Sequence, residues 1–461
     1  MRAALLPMQI KSRFEAAGPL ANWILCWVLL PNISFWLLWI IGGPPRVFQV
    51  LVTGTVGLGV HRAPFAVKFA AFVAALVVSV LTYISGIFNL DPTSLVAAIQ
   101  FASELHPTAS PEYLVAMLAL LATLVGAWRA LRRPTVLDDP RSLLIAFALV
   151  MLAAGAEYGL APSNPGSYTR FAEPGAAFTS AVGESGFESA AGDRRHLLLI
   201  MSEAMGAPAD PVLRRKLIDI WARPEVRRLY DVTSGDTLYY GSTTSGEMRE
   251  LCGRWGDYPE VLDKADNGCL PARLARRGYH TQAWHSFEGS FFQRSRWYPH
   301  IGFAEMRFGE RLRADGAEGC PGVFPGACDR DVPAQLSETL RQARTPQFLY
   351  WLTVNSHLPV ARNAQLGTAD CERFDPAIEA DNPMACRIFE LFDRNGRALA
   401  KEITRPDFPI ADILITGDHI PPFFNRHQRE QFLPDRVPWI RLHRKAPVGP
   451  TGEAPLPAPA S

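Results

Sequence analysis

Hydrophobic positions are spread unevenly along this chain. Long apolar runs crowd the first 160 residues, and shorter ones, set in polar surroundings, occupy the rest. A bilayer core about 30 Å thick takes roughly 20 apolar residues as a helix. Candidate spans are Leu20–Ile41, Val47–Val60, Phe65–Gly86, Tyr113–Ala130 and Ser142–Tyr158. The second is short and carries Gly54, Gly57 and Gly59, so it has to pack closely against its neighbours. One N-terminal span alone would read as a cleaved signal peptide; four more exclude that.

Basic residues orient the spans. Arg2, Lys11 and Arg13 precede the first, Arg62 and Lys68 follow the second, and Arg129, Arg132, Arg133 and Arg141 lie between the fourth and fifth. The loop Phe88–Glu112 has no lysine or arginine, and the turn after the first span has only Arg46. The expected topology is a multi-pass protein of a bacterial inner membrane, N-terminus cytoplasmic, with residues after the fifth span on the periplasmic side. The amphipathic stretch Thr93–Leu105 is expected to lie along the membrane surface or to be a plain connecting helix.

Domain boundaries follow. Residues 1–160 form the membrane domain, and 161–195, rich in Gly, Ser, Ala and Pro, read as a linker along the membrane. At His196 the pattern changes. HLLLIM, FLYWLTV (Phe348–Val354) and ADILIT (Ala411–Thr416) are short apolar runs of the kind buried on both faces of a parallel sheet. Helical patterns such as Pro211–Ala222 and Leu270–Gly278 alternate with them, which predicts an α/β domain with a mainly parallel central sheet over 196–444. The Pro-rich tail 445–461 is expected to be disordered.

Charge and cysteines refine this picture. A formal net charge of +1, with no basic stripe, gives no sign of a nucleic-acid partner, and none is expected. Cys26 sits in an apolar run, while Cys252, Cys269, Cys320, Cys328, Cys371 and Cys386 all lie in the outer half. An even number there fits disulfides in an oxidising compartment. The sequence leaves the pairing open; neighbours in order are the simplest choice.

The candidate chemistry lies where the apolar runs stop. Ser-Glu-Ala follows the first, Asn-Ser-His the second and Gly-Asp-His the third. Sites in open α/β sheets form at the carboxyl ends of strands, so Glu203, His357, Asp418 and His419 are expected to converge. Carboxylates plus imidazole make a mixed O/N ligand set for one divalent ion, Mn²⁺ or Zn²⁺.

Four motifs carry a resemblance: Glu203 in LLLIMSEAMG, Gly-Ser-Thr-Thr-Ser-Gly-Glu at 241–247, Phe-Phe-Gln-Arg at 291–294 leading to Tyr298 and Gly302-Phe303, and Asn-Ser-His-Leu-Pro at 355–359 with Thr-Gly-Asp-His at 416–419. In this order they resemble the membrane-anchored, sulfatase-like branch of the alkaline phosphatase superfamily. Lipoteichoic acid synthase and phosphoglycerol transferases are the nearest in pattern, with lipid A phosphoethanolamine transferases as cousins. The resemblance implies Glu203, Thr243, Asp418 and His419 as metal ligands and Thr243 as nucleophile. It also implies that His357 and Arg294 bind phosphate, that Phe292 is an aromatic of the substrate pocket, and that His285 lies near the site.

These residue types suit the chemistry. A threonine hydroxyl is a weak nucleophile at neutral pH and needs activation, here by metal coordination. Arg294 offers a bidentate contact to equatorial phosphoryl oxygens. Thr243 keeps the four-residue step to Glu247, which favours it over Thr244; the same Ser/Thr-rich turn would cap a helix over Met248–Cys252. Cys269-Leu-Pro-Ala-Arg273 fits the C-x-P-x-R pattern of formylglycine sulfatases, but opens a helical stretch and is wanted for a disulfide. Glu-Met-Arg-Glu-Leu-Cys follows the threonines where phosphoethanolamine transferases carry Ser-x-Pro-Cys. The expected function is transfer of a phosphoglycerol-type headgroup from a membrane phospholipid donor to a glycan or lipid acceptor. A hydrolase of the same fold, a phosphoethanolamine transferase and a non-catalytic binding protein are the alternatives.

Overall fold

The computed structural model describes residues 18–33, 35, 46–88, 108, 111–160, 172–423 and 426–445. The stretch Thr93–Leu105, most of the linker before 172, the tail after 445 and the basic residues before 18 lie outside the described residues.

The N-terminal third of the chain is helical among the described residues: α1 (Gly18–Ile33), α2 (Val47–Val60), α3 (Phe65–Phe88), α4 (Pro111–Ala130) and α5 (Pro140–Leu160). Three helices are long and apolar enough to cross a membrane, Phe65–Gly86, Tyr113–Ala130 and Pro140–Gly159, while α1 and α2 are shorter among the described residues. The glycines of α2 serve close packing: a Cβ on Gly57 would lie 2.3 Å from the Trp27 ring, and Trp23 Nε1 donates to the Gly57 carbonyl at 3.0 Å. Arg46 is buried, ion-paired to Glu157 at 3.0 Å and donating to Asn32. Arg46, the one basic residue between α1 and α2, thus ties α1 and α5 together.

The C-terminal part of the chain is one α/β sandwich. A seven-stranded sheet runs in the order β2–β9–β8–β1–β7–β3–β4. Its strands are β1 (His196–Ser202), β2 (Tyr230–Leu238), β3 (His280–His285), β4 (Glu305–Arg307), β7 (Gln347–Leu352), β8 (Ala411–Gly417) and β9 (Arg436–Arg444). β5 (Gly319–Cys320) and β6 (Gly326–Ala327) form a separate hairpin. The five strands from β8 to β4 are parallel; β9 and β2 add an antiparallel edge. The three apolar runs are the adjacent strands β8, β1 and β7, buried on both faces. Alternation splits β1 between two cores. Leu198 and Ile200 join one with α6 (Pro211–Trp221) and α9 (Pro383–Ile403). Leu197, Leu199 and Met201 join the other with α7 (Thr243–Cys252) and α8 (Leu270–Arg276). At about 1.5–3 kcal/mol for each large buried apolar side chain, this double burial is what anchors β1.

Two boundaries differ from the sequence reading. The α/β domain begins before His196: residues 181–184 and 187–193 form short helices whose Ala181, Phe187 and Ala191 are core residues. Ala181, Ala191 and the Phe187 ring pack into that core, so part of a stretch whose composition reads as linker belongs to the α/β domain. The helix expected over Met248–Cys252 starts instead at Thr243, with Ser242 as its N-cap residue.

The six outer cysteines pair in sequence order, 252–269, 320–328 and 371–386, and Cys26 is free and buried. Cys269 is therefore bonded to sulfur and closed to formylglycine oxidation.

Candidate active site

Strand register brings the polar ends together. Met201 pairs with Thr416 on one side and Leu352 on the other, so the residues after β1, β8 and β7 emerge side by side. Immediately after Glu203 the chain turns sharply through Ala204, at φ 55°. That left-handed turn costs an L-residue of order 1–3 kcal/mol. The Ala204 N–H then donates to Asp418 Oδ1 at 2.9 Å. Gly417 makes the approach possible, since a Cβ there would lie 1.9 Å from the Met205 carbonyl.

Four donor groups converge. Thr243 Oγ1 donates to Glu203 Oε2 at 3.2 Å and lies 3.2 Å from His419 Nε2. His419 Nε2 is also 3.5 Å from Glu203 Oε1 and 3.3 Å from Asp418 Oδ2. The imidazole is oriented by Nδ1–H, which donates to the Ile420 carbonyl at 2.8 Å and leaves the Nε2 lone pair facing the carboxylates. Asp418 Oδ1 accepts from the His419 and Ala204 N–H groups, which aims Oδ2 at the same point. Thr243 opens α7, so the positive end of that helix also faces the site. Thr244 is buried, 1% exposed, one residue further on.

The donor set fits a cation. Glu203 Oε1 and Asp418 Oδ2 are buried without a hydrogen-bond partner, an expensive arrangement unless a positive charge sits between them. Burial, and then the neighbouring Asp418, push the Glu203 carboxyl well above its usual range. Glu203, Asp418 and His419 each offer a ligand atom, all within 4.8 Å of one another, as coordination of one divalent ion requires.

Around these four residues lies a cleft lined in part by Glu203, Thr243, His285, Phe292, Arg294 and His357. His285 closes β3, its Nδ1 donating to the Leu352 carbonyl at 3.1 Å; burial, then Arg294, hold its pKa well below the ordinary value. His357 directs Nδ1 at the Leu358 carbonyl, and burial lowers its pKa to about 4. Phe292 adopts a left-handed backbone, φ 52°, and stacks edge-on with Phe291 at 4.5 Å.

Arg294 lines the cleft but is engaged within the protein. Its Nε and Nη2 both donate to Glu247 Oε2, at 3.0 and 2.9 Å, and Nη1 donates to the Phe291 carbonyl. Burial opposes its charge, but Glu247 outweighs that and raises its pKa. The motif residue Glu247 thus positions Arg294, with the Tyr298 and Tyr350 hydroxyls donating to its other oxygen.

Sequence reasoning missed the supports. Arg249 donates to the carbonyls of Gly417 and Asp418, and is itself paired with Glu250, which accepts from the N–H groups of Ala181 and Val182. An Arg-Glu pair on a helix buried all round was the available signal. Thr353 Oγ1 accepts from the Glu203 N–H, and Ser356 Oγ donates to the Glu203 carbonyl; nothing local marks either. Phe324, Phe287 and Phe291 also line the cleft.

Residues 233–431 match the family model described as Sulfatase. None of the curated proteins compared matches the chain. Solved structures similar to it include the lipoteichoic acid synthase LtaP from Listeria monocytogenes, 15% identical, TM-score 0.41, covering 55% of this chain and 66% of that one. The phosphoglycerol transferase GacH of Streptococcus pyogenes, in complex with sn-glycerol-1-phosphate, is 16% identical, TM-score 0.37, covering 59% and 78%. The C-terminal periplasmic domain of EptC from Escherichia coli is 10% identical, TM-score 0.36, covering 55% and 73%. The chain spans just under two thirds of the Listeria protein's length.

Proposed function

We propose that this chain is a sulfatase-like member of the alkaline phosphatase superfamily, a reading supported by the match of residues 233–431 to the Sulfatase family, and a metal-dependent phosphoryl-group transferase. It would move a phosphoglycerol-type headgroup from a membrane phospholipid to a periplasmic glycan or lipid acceptor. The observation that carries this reading is Thr243 Oγ1, at a helix N-terminus in a cleft, 3.2 Å from both Glu203 and His419.

Glu203, Thr243, Asp418 and His419 would hold one divalent ion, Mn²⁺ or Zn²⁺. When bound, that ion supplies Lewis acidity that lowers the pKa of the Thr243 hydroxyl and offsets phosphoryl charge. Thr243 Oγ attacks phosphorus, the P–O bond to diacylglycerol breaks, and the departing oxygen takes a proton. The headgroup phosphate is then ester-linked to Thr243. An acceptor hydroxyl attacks the same phosphorus, loses its proton and restores the threonine. The N–H groups opening α7 cradle phosphoryl oxygens, and His285 and His357 flank the organic group and the acceptor. Five spans, with the outer domain periplasmic, would keep the site beside its lipid donor and replace three-dimensional search with proximity.

The test is purified full-length protein with Zn²⁺ and phosphatidylglycerol labelled in its headgroup. Diacylglycerol release together with label on Thr243 supports the transferase; an unlabelled Thr243 and intact lipid sink it. The family match to sulfatases supports a second reading, a phosphodiesterase with water as acceptor. Free glycerol phosphate, formed at a rate independent of added acceptor, would favour it.

A further inference from the structure

The cleft has one wall that the chemistry above leaves unused. Residues 319–328 form a hairpin in which Gly319 and Cys320 pair with Ala327 and Gly326, and the Cys320–Cys328 disulfide closes it. From its tip Phe324 enters the cleft and lays its ring 3.8 Å from that of His357. The rings of Phe287 and Phe291 each stand 5.7 Å from Phe324 in edge-on geometry, and 5.2 Å from one another.

The hairpin is laced to both histidine-bearing strand ends. The Ala327 N–H donates to the Ser286 carbonyl at 2.7 Å, next to His285. Asn355 Nδ2 donates to the Ala327 carbonyl at 3.2 Å, and the Asp329 N–H donates to Asn355 Oδ1 at 2.8 Å, two residues from His357. The Asp329 carboxylate accepts from the Val354 and Asn355 N–H groups. Covalent closure and two anchors therefore fix where Phe324 sits. Three phenyl rings give large contact area and a face suited to C–H groups, but no hydrogen bond for phosphoryl oxygens. Those oxygens have their donors at Thr243 and the start of α7, so the rings are left for the remainder of the substrate.

We propose that the hairpin 319–328 is the specificity element of this pocket, with Phe324 packing on the carbon-bearing group ester-linked to phosphorus. This rests on the phosphoryl-transfer reading of the same site. It separates two tasks: the cation-binding end grips phosphate, and the aromatic wall discriminates among organic phosphates.

The test uses zinc-loaded full-length protein in detergent, titrated by calorimetry with two probes, inorganic phosphate and sn-glycerol 1-phosphate. Wild-type protein is expected to bind the glycerol ester more tightly. Phe324→Ala should weaken the ester about tenfold while changing phosphate by less than about twofold. Phe324→Tyr should restore the preference, and the Cys320→Ser/Cys328→Ser double variant should reproduce the selective loss with zinc content unchanged. Equal weakening of both probes, or no change in either, overturns the role given to Phe324 while leaving the transferase reading standing. If wild-type protein binds neither probe, the phosphoryl site itself fails and this inference falls with it.

Discussion

Both the Nε and Nη2 groups of Arg294 donate to a single oxygen of Glu247, and the pair is buried almost completely. A residue expected to grip substrate is thus first of all half of an internal ion pair, and Glu247 is what aims it. Removing one member of a buried pair strands the other charge, at a cost of roughly 3–5 kcal/mol. Glu247→Ala is expected to lower the denaturant midpoint of the full chain by a shift equivalent to that loss. An unchanged midpoint would mean that Arg294 finds another counter-charge.

Thr243 and Thr244 are adjacent, but only Thr243 meets Glu203 and His419. Thr243→Ala is expected to abolish the labelled adduct and to lower turnover by at least about 10³-fold. Thr244→Ser should retain the adduct. Mass spectrometry of the tryptic peptide decides this, and label on residue 244 would refute the assignment.

Glu203 Oε1 and Asp418 Oδ2 are buried atoms without hydrogen-bond partners. A ligand that binds only the folded state stabilises it by about 4 kcal/mol at a thousandfold excess over its Kd. Stripping divalent ions with a chelator should therefore lower the melting temperature, and Zn²⁺ should restore it. In Asp418→Asn both responses should vanish. A chelator-insensitive melt would argue against a resident cation.

Asp329 is buried, and burial raises its pKa from 3.8 to about 6. Its folded form then holds the proton more tightly than the unfolded chain does. The contribution is fully present below about pH 4 and is lost as pH rises through about 6, a swing of up to about 3 kcal/mol. Asp329→Asn should flatten that part of the stability-against-pH curve. A mutant curve parallel to wild type would contradict the raised value.

The Cys252–Cys269 bridge joins the end of α7 to the start of α8. Loss of such a bridge typically costs about 2–5 kcal/mol. The Cys252→Ser/Cys269→Ser double variant should melt earlier than wild type under non-reducing conditions. It should keep its Zn²⁺ stoichiometry, because neither sulfur belongs to the ligand set.

Much of this protein is legible in one dimension because burial on both faces leaves a continuous trace. HLLLIM, FLYWLTV and ADILIT are three adjacent central strands, and their polar ends announced Glu203, His357, Asp418 and His419. β3, HTQAWH, lacks an apolar run because its buried polar groups are satisfied by one another: Gln282 donates across to Gln347 on β7, and Trp284 donates to Gln282 within the strand. β2 is an edge strand with exposed positions, so it lacks an apolar run.

By itself the sequence determined the division into an apolar helical half and an α/β half, the central strands, and the chemical types at their ends, since hydrophobic periodicity and ligand chemistry are properties of short windows. Only the tertiary structure decided that β8, β1 and β7 are neighbours, that Arg294 answers to Glu247, and that Phe324 reaches His357. Those contacts join residues 214, 47 and 33 positions apart or more, as in Ala204 with Asp418 and Arg294 with Glu247. Strand order and hairpin placement follow from how whole layers bury their faces against one another, and no local stretch of chain carries that information.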